Sequence, residues 1–196
     1  MHSIKDAART SKCVLVVAGF LLLALGIAEV VRASIYEVVE RRQFSGSIAP
    51  EERGAPAARP TVGLAIGTIE IPRIALSSIV VEGDGEKQLE LAAGHVPETA
   101  FPGEPGNSGI AGHRDTVFRA LRLIRKNDEI AVTTHRGKST YRVTSAQIVQ
   151  PGPIQVLFPT KQEVLTLVTC YPFYFVGPAP QRFIVRADRV ADRSKQ

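Results

Sequence analysis

The longest apolar stretch of the chain is residues 13–31, CVLVVAGFLLLALGIAEVV, in which Glu29 is the single charged residue. As a helix these nineteen residues would be about 28 Å long, close to the ~30 Å hydrocarbon core of a bilayer. Three basic residues come before it: Lys5, Arg9 and Lys12. The positive-inside rule therefore predicts a cytoplasmic tail over residues 1–12 and one transmembrane helix over residues 13–31, with everything after it outside the cytoplasm.

A cleaved signal peptide is the alternative for this segment. Small residues at positions 26–28 and 31–33 would suit a signal peptidase. The unbroken apolar run over residues 13–27 favours an uncleaved anchor. Both interpretations export the remainder of the chain to the outer side of the membrane.

A flexible tether is predicted between this segment and the folded domain. Residues 32–40 could extend the helix, whereas residues 44–60 are rich in Pro, Gly, Ala and Ser and show no apolar periodicity. We therefore expect a tether over residues 32–61 and a folded domain over residues 62–196.

Within the folded domain, short β-prone runs alternate with loops rich in Pro and Gly. Strands are predicted over residues 65–71, 76–81, 129–134, 140–150, 164–169 and 182–187, and a small-residue strand or turn over residues 107–112. Seven or so short strands of this kind indicate a mainly β domain, either a barrel or a sandwich.

Two short helices are predicted in the same domain. Residues 86–93 are one candidate, and residues 116–126 are the other. Val117, Leu121 and Ile124 recur in the second at the spacing of an amphipathic helix. The domain should therefore carry little helix around its strands.

The composition is that of a globular protein, with 44% hydrophobic and 22% charged residues and a formal net charge of +5. A basic cluster at positions 114–126 raises the possibility of a nucleic-acid binder, but it would equally suit lipid headgroups or an anionic cell-wall precursor. Because the domain is expected to be exported, we predict a membrane association and no nucleic-acid partner.

Cysteine usage draws attention to one residue. Of the two cysteines, Cys13 opens the apolar segment and Cys170 ends a predicted strand. If Cys13 is in the membrane, the two cannot form a disulfide within one domain. A free cysteine is usually a small buried hydrophobe. In an exported domain, however, a leftover thiol is a candidate reactive group.

Two residues elsewhere in the sequence could supply a base and a cation to this thiol. His113 follows the small residues Ala111 and Gly112, and Asp115 is near enough to hydrogen-bond to it. Arg182 opens the last predicted strand, and antiparallel pairing of the two strands would set it beside Cys170, where its guanidinium could bind an oxyanion. A surface arginine is the plainer interpretation, and it applies equally to Arg186.

The other histidines are weaker candidates. His2 is in the predicted cytoplasmic tail, His135 is expected at an exposed hairpin tip, and His95 is expected to have a structural role. A papain-like site would need its cysteine before its histidine, the reverse of the order here. No Cys/His spacing indicates a zinc site.

Two sequence blocks resemble the sortase family, and class D sortases most closely. TLVTC at residues 166–170 resembles the sortase TLxTC signature, and the family's His, Cys and Arg occur in the chain order of His113, Cys170 and Arg182. The wider blocks GNSGIAGHRDT and LVTCYPFYFVGPAPQRFIVRA extend the resemblance over about residues 65–190.

This resemblance implies an eight-stranded sortase barrel that cleaves a C-terminal sorting signal of the LPxTG or LPxTA type after its Thr. Cys170 would form a thioester with that Thr, His113 would serve as acid and base, and Arg182 would bind the oxyanion. Thr169 would support the substrate or oxyanion.

The implied partners are a secreted protein with a sorting signal and an amine acceptor, either a peptidoglycan precursor or a pilin lysine. No acidic calcium-binding loop is evident, so no metal and no cofactor are expected. A non-catalytic barrel that binds sorting-signal peptides is the competing hypothesis.

Overall fold

Eight strands close into a barrel in the computed structural model, which describes residue 19 and residues 60–90, 92–152, 155–174 and 177–190. The strands are β1 (Ala65–Ile71), β2 (Leu76–Glu82), β3 (Ala93–His95), β4 (Asn107–Ala111), β5 (Glu129–Thr134), β6 (Gly137–Val149), β7 (Val164–Tyr171) and β8 (Gln181–Arg189). Their order around the barrel is β1-β2-β3-β4-β7-β8-β6-β5. The predicted mainly β domain is confirmed, and it is a barrel and not a sandwich.

The predicted tail, the predicted anchor apart from residue 19, and nearly all of the predicted tether lie outside the described residues. Within the described ranges, no helix combines the length and the apolar character needed to cross a membrane. The chain divides into two units, Met1–Val39 and Glu40–Gln196, and every strand given above belongs to the second.

The core fills the inside of the barrel with side chains at every second strand position. On β7, Leu165 and Leu167 belong to the main apolar cluster and are fully buried, and on β4 Ile110 does the same. Because successive side chains of a strand point to opposite faces, Thr166 and Gly109 belong to the outer face. This alternation decides which residues share a face at the carboxyl ends of β4 and β7.

The parallel pairings are β2 with β3 and β4 with β7, whereas the other neighbours are antiparallel. In the β4–β7 pair, Asn107 lies opposite Val164 and Ala111 lies opposite Val168. The carboxyl ends of both strands are therefore at the same end of the barrel.

The predicted helix over residues 86–93 is wrong in its second half. The helix α1 covers only Glu86–Leu89, and Ala93 belongs to β3, where it pairs with Val80. Ala92 and Ala93 are almost fully buried. Pairing within the sheet thus outweighs the helix propensity of alanine.

The predicted amphipathic helix over residues 116–126 is also wrong in type. Only Arg119–Leu123 is helical, and it is a 3₁₀ helix, here called η2 after η1 at Pro72–Ile74. Phe118 and Leu121 are the fully buried residues of this segment. They are three positions apart, which is the period of a 3₁₀ helix.

A buried carboxylate holds η1 and η2 together. Arg73 donates two hydrogen bonds to Asp128, through its Nε to Oδ1 and through its Nη2 to Oδ2 at 2.6 Å, and the backbone N–H of Arg125 donates to Oδ2 at 2.7 Å. Arg73 also donates to the carbonyl of Leu123. The hydrogen bond from Arg73 is the main reason why the pKa of Asp128 is below its ordinary value.

Asp128→Asn should therefore lower the free energy of unfolding at neutral pH, with a deficit that becomes smaller in acid. A carboxyl whose pKa is lowered by folding stabilises the fold above its unfolded pKa of about 3.9, and this contribution is lost as the pH falls through the folded pKa. Urea unfolding followed by circular dichroism at about pH 7 and about pH 3 measures the difference.

Glu129→Gln is the matched control for this prediction. Its ion pair with Arg142 is exposed on both sides, with side-chain exposures of 61% and 51%, so its removal should change the free energy of unfolding little at either pH. A deficit in Asp128→Asn that does not depend on pH would contradict the assigned role of the carboxylate.

Candidate active site

Cys170 and Arg182 are direct partners in the β7–β8 ladder. Side chains directly opposite each other in an antiparallel pair have Cβ atoms about 4.5–5.5 Å apart. Both residues are half-buried, so each side chain is in contact with the protein and still accessible from outside. The strand register therefore makes Cys170 and Arg182 cross-strand neighbours.

His113 reaches the same place from β4. The β4–β7 ladder ends at Ala111 opposite Val168, and the backbone N–H of Gly112 extends it by donating to the carbonyl of Val168 at 3.1 Å. The same register carried two residues further sets His113 opposite Cys170. Strands in such a pair are about 4.8 Å apart.

A hydrogen bond between two other side chains fixes the face to which these residues belong. The hydroxyl of Thr166 donates to the Oδ1 of Asn107 at 2.7 Å, so the two side chains share the outer face of the barrel. Cys170 is four residues beyond Thr166 and His113 is six beyond Asn107. The period of two assigns Cys170 to that same outer face, whereas His113 is two residues beyond the end of β4.

Thr169 holds the backbone next to His113. It is buried, and its hydroxyl donates to the carbonyl of Gly112 at 2.7 Å. To support the substrate or the oxyanion, as predicted, the Thr169 hydroxyl would have to give up its hydrogen bond to the carbonyl of Gly112. The geometry favours a positioning role, in which Thr169 ties the residue before His113 to the residue before Cys170.

Phe118 holds His113 from the other side. The N–H of Phe118 donates to the carbonyl of His113 at 2.9 Å, and its ring packs so closely on Gly112 that a Cβ at that position would be 2.7 Å from a ring carbon. Only glycine fits this contact. The turn after β4 is therefore fixed by hydrogen bonds to the carbonyls of Gly112 and His113. The fully buried ring of Phe118 also holds it in place.

An aromatic cluster packs at the ends of β7 and β8 that carry Cys170 and Arg182. Phe173 and Phe183 pack edge to face with ring centroids 5.3 Å apart, and Tyr171 is 6.0 Å from Phe173. Phe173 and Phe183 both pack on the main core. The ends of β7 and β8 that carry Cys170 and Arg182 thus rest on a dense apolar base.

The guanidinium of Arg182 is held by its own loop. Its Nη1 donates to the carbonyls of Gln181 at 3.0 Å and Ala179 at 3.3 Å. Within the part of the chain that the structure describes, its Nε and Nη2 make no hydrogen bond. These two donors form the planar fork that matches an oxyanion or a carbonyl.

The remaining predicted residues are separate from this arrangement. Asp115 is exposed, and among the described residues no hydrogen bond joins it to His113. His135 is exposed in the β5–β6 turn, as predicted. His95 is buried, with Nδ1 2.8 Å from a carboxylate oxygen of Glu82 and Nε2 3.0 Å from the carbonyl of Ala100, which confirms its structural role.

Over the described ranges, no group of three His, Cys, Asp or Glu side chains is arranged to hold a metal ion. The chemical groups gathered at this end of the barrel are a thiol, an imidazole and a guanidinium. A nucleophile, a base and a permanent cation on one face suit acyl transfer through a covalent intermediate.

Sequence reasoning missed the residues that support the site. Arg114 donates through Nη2 to the carbonyl of Gly177 at 2.8 Å and thereby joins the turn after His113 to the β7–β8 loop. Asn107 accepts a hydrogen bond from the hydroxyl of Thr166. In the sequence it could be recognised only as one of the small polar residues before His113. Their partners lie about sixty positions away along the chain, where no local pattern reveals them.

Comparison with known proteins gives the family. The sortase domain model matches residues 69–190. Sortase D of Bacillus subtilis (strain 168) is 37% identical over 133 residues, a match that covers 67% of each chain. Sortase A of Streptococcus agalactiae serotype III (strain NEM316) is 28% identical over 132 residues, and the match spans 52% of its length.

Solved structures agree with the sequence matches. The Clostridium perfringens sortase D5 transpeptidase is similar with a TM-score of 0.69 and 29% identity, over 79% of this chain and 99% of that one. Sortase A from Corynebacterium diphtheriae shares the fold at a TM-score of 0.62 and 24% identity, over 81% of this chain and 84% of that one.

The chain belongs to the sortase family, since the family model covers more than half of its 196 residues. Sortases are cysteine transpeptidases, and the protein is an enzyme of this class. The resemblance drawn from TLVTC and the flanking blocks is thereby confirmed, as is the eight-stranded sortase barrel that it implied.

Proposed function

We propose that Cys170 is the nucleophile of this transpeptidase, His113 its acid and base, and Arg182 the cation that binds the oxyanion. The observation that carries the proposal is the strand register, in which Arg182 lies opposite Cys170 and the β4–β7 pairing leads His113 to the same position. This placement would bring three groups with complementary chemistry to one accessible face.

The proposed substrate is a secreted protein with a C-terminal sorting signal of the LPxTG or LPxTA type, cleaved after its Thr. The thiolate of Cys170 attacks the Thr carbonyl, and the guanidinium of Arg182 stabilises the oxyanion that forms. As the oxyanion collapses, the C–N bond breaks, and His113 protonates the departing amine. A thioester between Cys170 and the Thr remains.

In the second half of the reaction, an amine displaces the sulfur. His113 takes a proton from the incoming amine, which attacks the thioester carbonyl, and the collapse of the second oxyanion releases the Cys170 thiolate. We propose a peptidoglycan precursor or a pilin lysine as the acceptor. The overall reaction exchanges one amide for another, so it requires no metal or cofactor to balance.

We also propose that residues 1–12 are a cytoplasmic tail, that residues 13–31 anchor the protein in the membrane, and that residues 32–61 tether the catalytic domain on the outer side. The support is the nineteen-residue apolar stretch with basic residues before it. In this location the enzyme would meet secreted proteins and cell-wall precursors.

Trapping of the acyl-enzyme tests the covalent mechanism. Wild-type protein given an LPxTG or LPxTA peptide without an amine should accumulate an adduct on Cys170 with the mass of the peptide up to its Thr. Hydroxylamine should release it, because it cleaves thioesters. Cys170→Ala should form no adduct and should remain folded, since the thiol is only half-buried. Intact-protein mass spectrometry measures both results.

Two further variants make this test specific. His113→Ala should lose nearly all peptide cleavage while its thiol still reacts with a small alkylating agent, because the sulfur remains. Cys13→Ala should form the adduct as wild type does. If no sorting peptide gives an adduct and Cys170→Ala unfolds the domain, then Cys170 is a core residue, and a non-catalytic peptide-binding barrel explains the fold better.

A separate prediction concerns Arg182. Arg182→Lys keeps the charge but loses the planar fork, so it should lower kcat by roughly 10²–10³, the value of one oxyanion donor, with a much smaller rise in KM. Arg186→Lys is the matched control, because Arg186 is on the same strand and the same face but opposite Thr166. Equal kcat values in the two variants would make Arg182 an ordinary surface residue.

The proposed topology has its own test. A reporter that is active only outside the cytoplasm, fused after Gln196, should be active in cells. Replacing Lys5, Arg9 and Lys12 with Glu should reduce this activity, because the positive charges orient the segment. A silent reporter on a well-expressed wild-type fusion would exclude both the topology and an extracytoplasmic substrate.

A further inference from the structure

A basic surface lies on and around η2. Residues 114–126 contain five basic residues and one acidic residue. Arg119, Arg122, Arg125 and Lys126 are all exposed. Within the ranges that the structure describes, no carboxylate forms a salt bridge with any of these four side chains. Their positive charge is therefore available to an anionic partner.

One contact joins these cations to the loop that follows Cys170. The guanidinium carbon of Arg122 lies 6.0 Å from the centre of the Tyr174 ring. Tyr174 is four residues after Cys170, and η2 begins six residues after His113. The cations therefore border the end of the barrel that carries the proposed catalytic residues.

Two large apolar side chains are exposed among the same cations. Leu123, between Arg122 and Arg125, is 50% exposed, and Tyr174 is 75% exposed. A single exposed leucine is ordinary in a soluble protein. Here, however, the leucine lies inside a cationic cluster that also carries an exposed tyrosine. We call the cations and these two side chains together the η2 surface.

This combination of groups matches the boundary of an anionic bilayer. Guanidinium and ammonium groups bind the phosphates of lipid headgroups, while leucine and tyrosine side chains enter the region between the headgroups and the acyl chains. A nucleic acid or a soluble anion would use the cations of the η2 surface but would leave Leu123 in water. The apolar side chains therefore favour a lipid surface over either of these ligands.

We infer that the η2 surface docks the catalytic end of the domain on an anionic lipid bilayer. This inference rests on the proposed location of the protein at a membrane. Because Tyr174 and Cys170 belong to neighbouring positions of one strand and its loop, docking would hold the thiol near the lipid headgroups. A secreted substrate would then meet the enzyme where it emerges from the membrane.

A single tryptophan tests the docking, because the sequence contains none. Full-length Leu123→Trp protein is placed in vesicles that contain phosphatidylglycerol and phosphatidylcholine in equal amounts. Its emission should shift to shorter wavelength and should be quenched by lipids with brominated acyl chains. In vesicles of phosphatidylcholine alone, both effects should be absent, because the attraction between charges is missing.

His135→Trp is the matched control for the position of the probe. His135 is exposed in the β5–β6 turn. Because β5 runs antiparallel to β4, this turn lies at the end of the barrel opposite the η2 surface. A tryptophan there should remain unquenched in both kinds of vesicle.

Charge reversal tests the contribution of the cations. In the Leu123→Trp protein, Arg119→Glu together with Arg122→Glu should abolish the quenching. Each basic residue near an anionic surface strengthens binding roughly fivefold, so the ratio of docked to undocked domain should fall more than about 25-fold. Lys138→Glu together with Lys161→Glu should change nothing, since both lysines are exposed at the other end of the barrel.

High salt tests the same charges without a substitution, and it should also weaken the quenching of the Leu123→Trp protein. Equal quenching in the two kinds of vesicle, or quenching that survives the charge reversal, would overturn the inference. A response to inorganic pyrophosphate but not to phosphatidylglycerol would also overturn it, because the η2 surface would then be a site for a soluble phosphate ligand. A silent reporter fusion after Gln196 would instead reject the proposed location on which the inference rests.

Discussion

The parallel pairing of β4 with β7 is the constraint on which the catalytic end of the molecule depends. These two strands are far apart in sequence, and neither is joined to the other by a turn, yet their register runs without a shift from Asn107 to Ala111. A slip of one residue would move every side chain of β4 to the opposite face. It would turn His113 away from Cys170 and send Ile110 out of the core.

The register is protected at both ends by side chains and not only by the sheet. At one end, Thr166 donates its hydroxyl to Asn107, and at the other Thr169 donates its hydroxyl to the carbonyl of Gly112. All of these residues are buried. A buried polar group left without a hydrogen-bond partner costs more free energy than a typical hydrogen bond contributes to stability. A slipped pairing would leave both hydroxyls without these acceptors, so the correct register has the lower free energy.

The sequence predicted the family and most of the strands, but not every element around them. Alternation and β-branched residues located most strands, and the resemblance carried by TLVTC indicated the relative positions of Cys170, His113 and Arg182. The strand Ala93–His95 was missed because three residues carry too little pattern, and their strand geometry comes from pairing with Val80 and Val81. The spacing of Val117, Leu121 and Ile124 gave the correct buried side, but not the tighter winding imposed by Phe118.

The supporting residues could not be predicted for a different reason. Asn107 and Thr166 are 59 positions apart along the chain, and their hydrogen bond depends on a register that only the folded barrel defines. A single sequence shows each as one polar residue in a small-residue or apolar run. Propensity and periodicity describe neighbours along the chain, whereas these partners are neighbours across a parallel pair.

The folded register also gives a physical reason for each residue of the TLVTC segment. Thr166 faces outward and holds Asn107, Leu167 fills the core, and Val168 accepts the N–H of Gly112 through its carbonyl. Thr169 then fixes Gly112 from the buried side, so that Cys170 comes next on the outer face.

Residues 109–111 lie opposite Thr166, Leu167 and Val168 of TLVTC, and neither segment has its geometry without the other. A substitution that preserves the thiol and the imidazole but disturbs this pairing would therefore keep the reactive groups and lose their alignment. The need for one strand register also explains why this otherwise apolar strand pair contains polar residues. They specify one register among several that hydrophobic burial alone would permit.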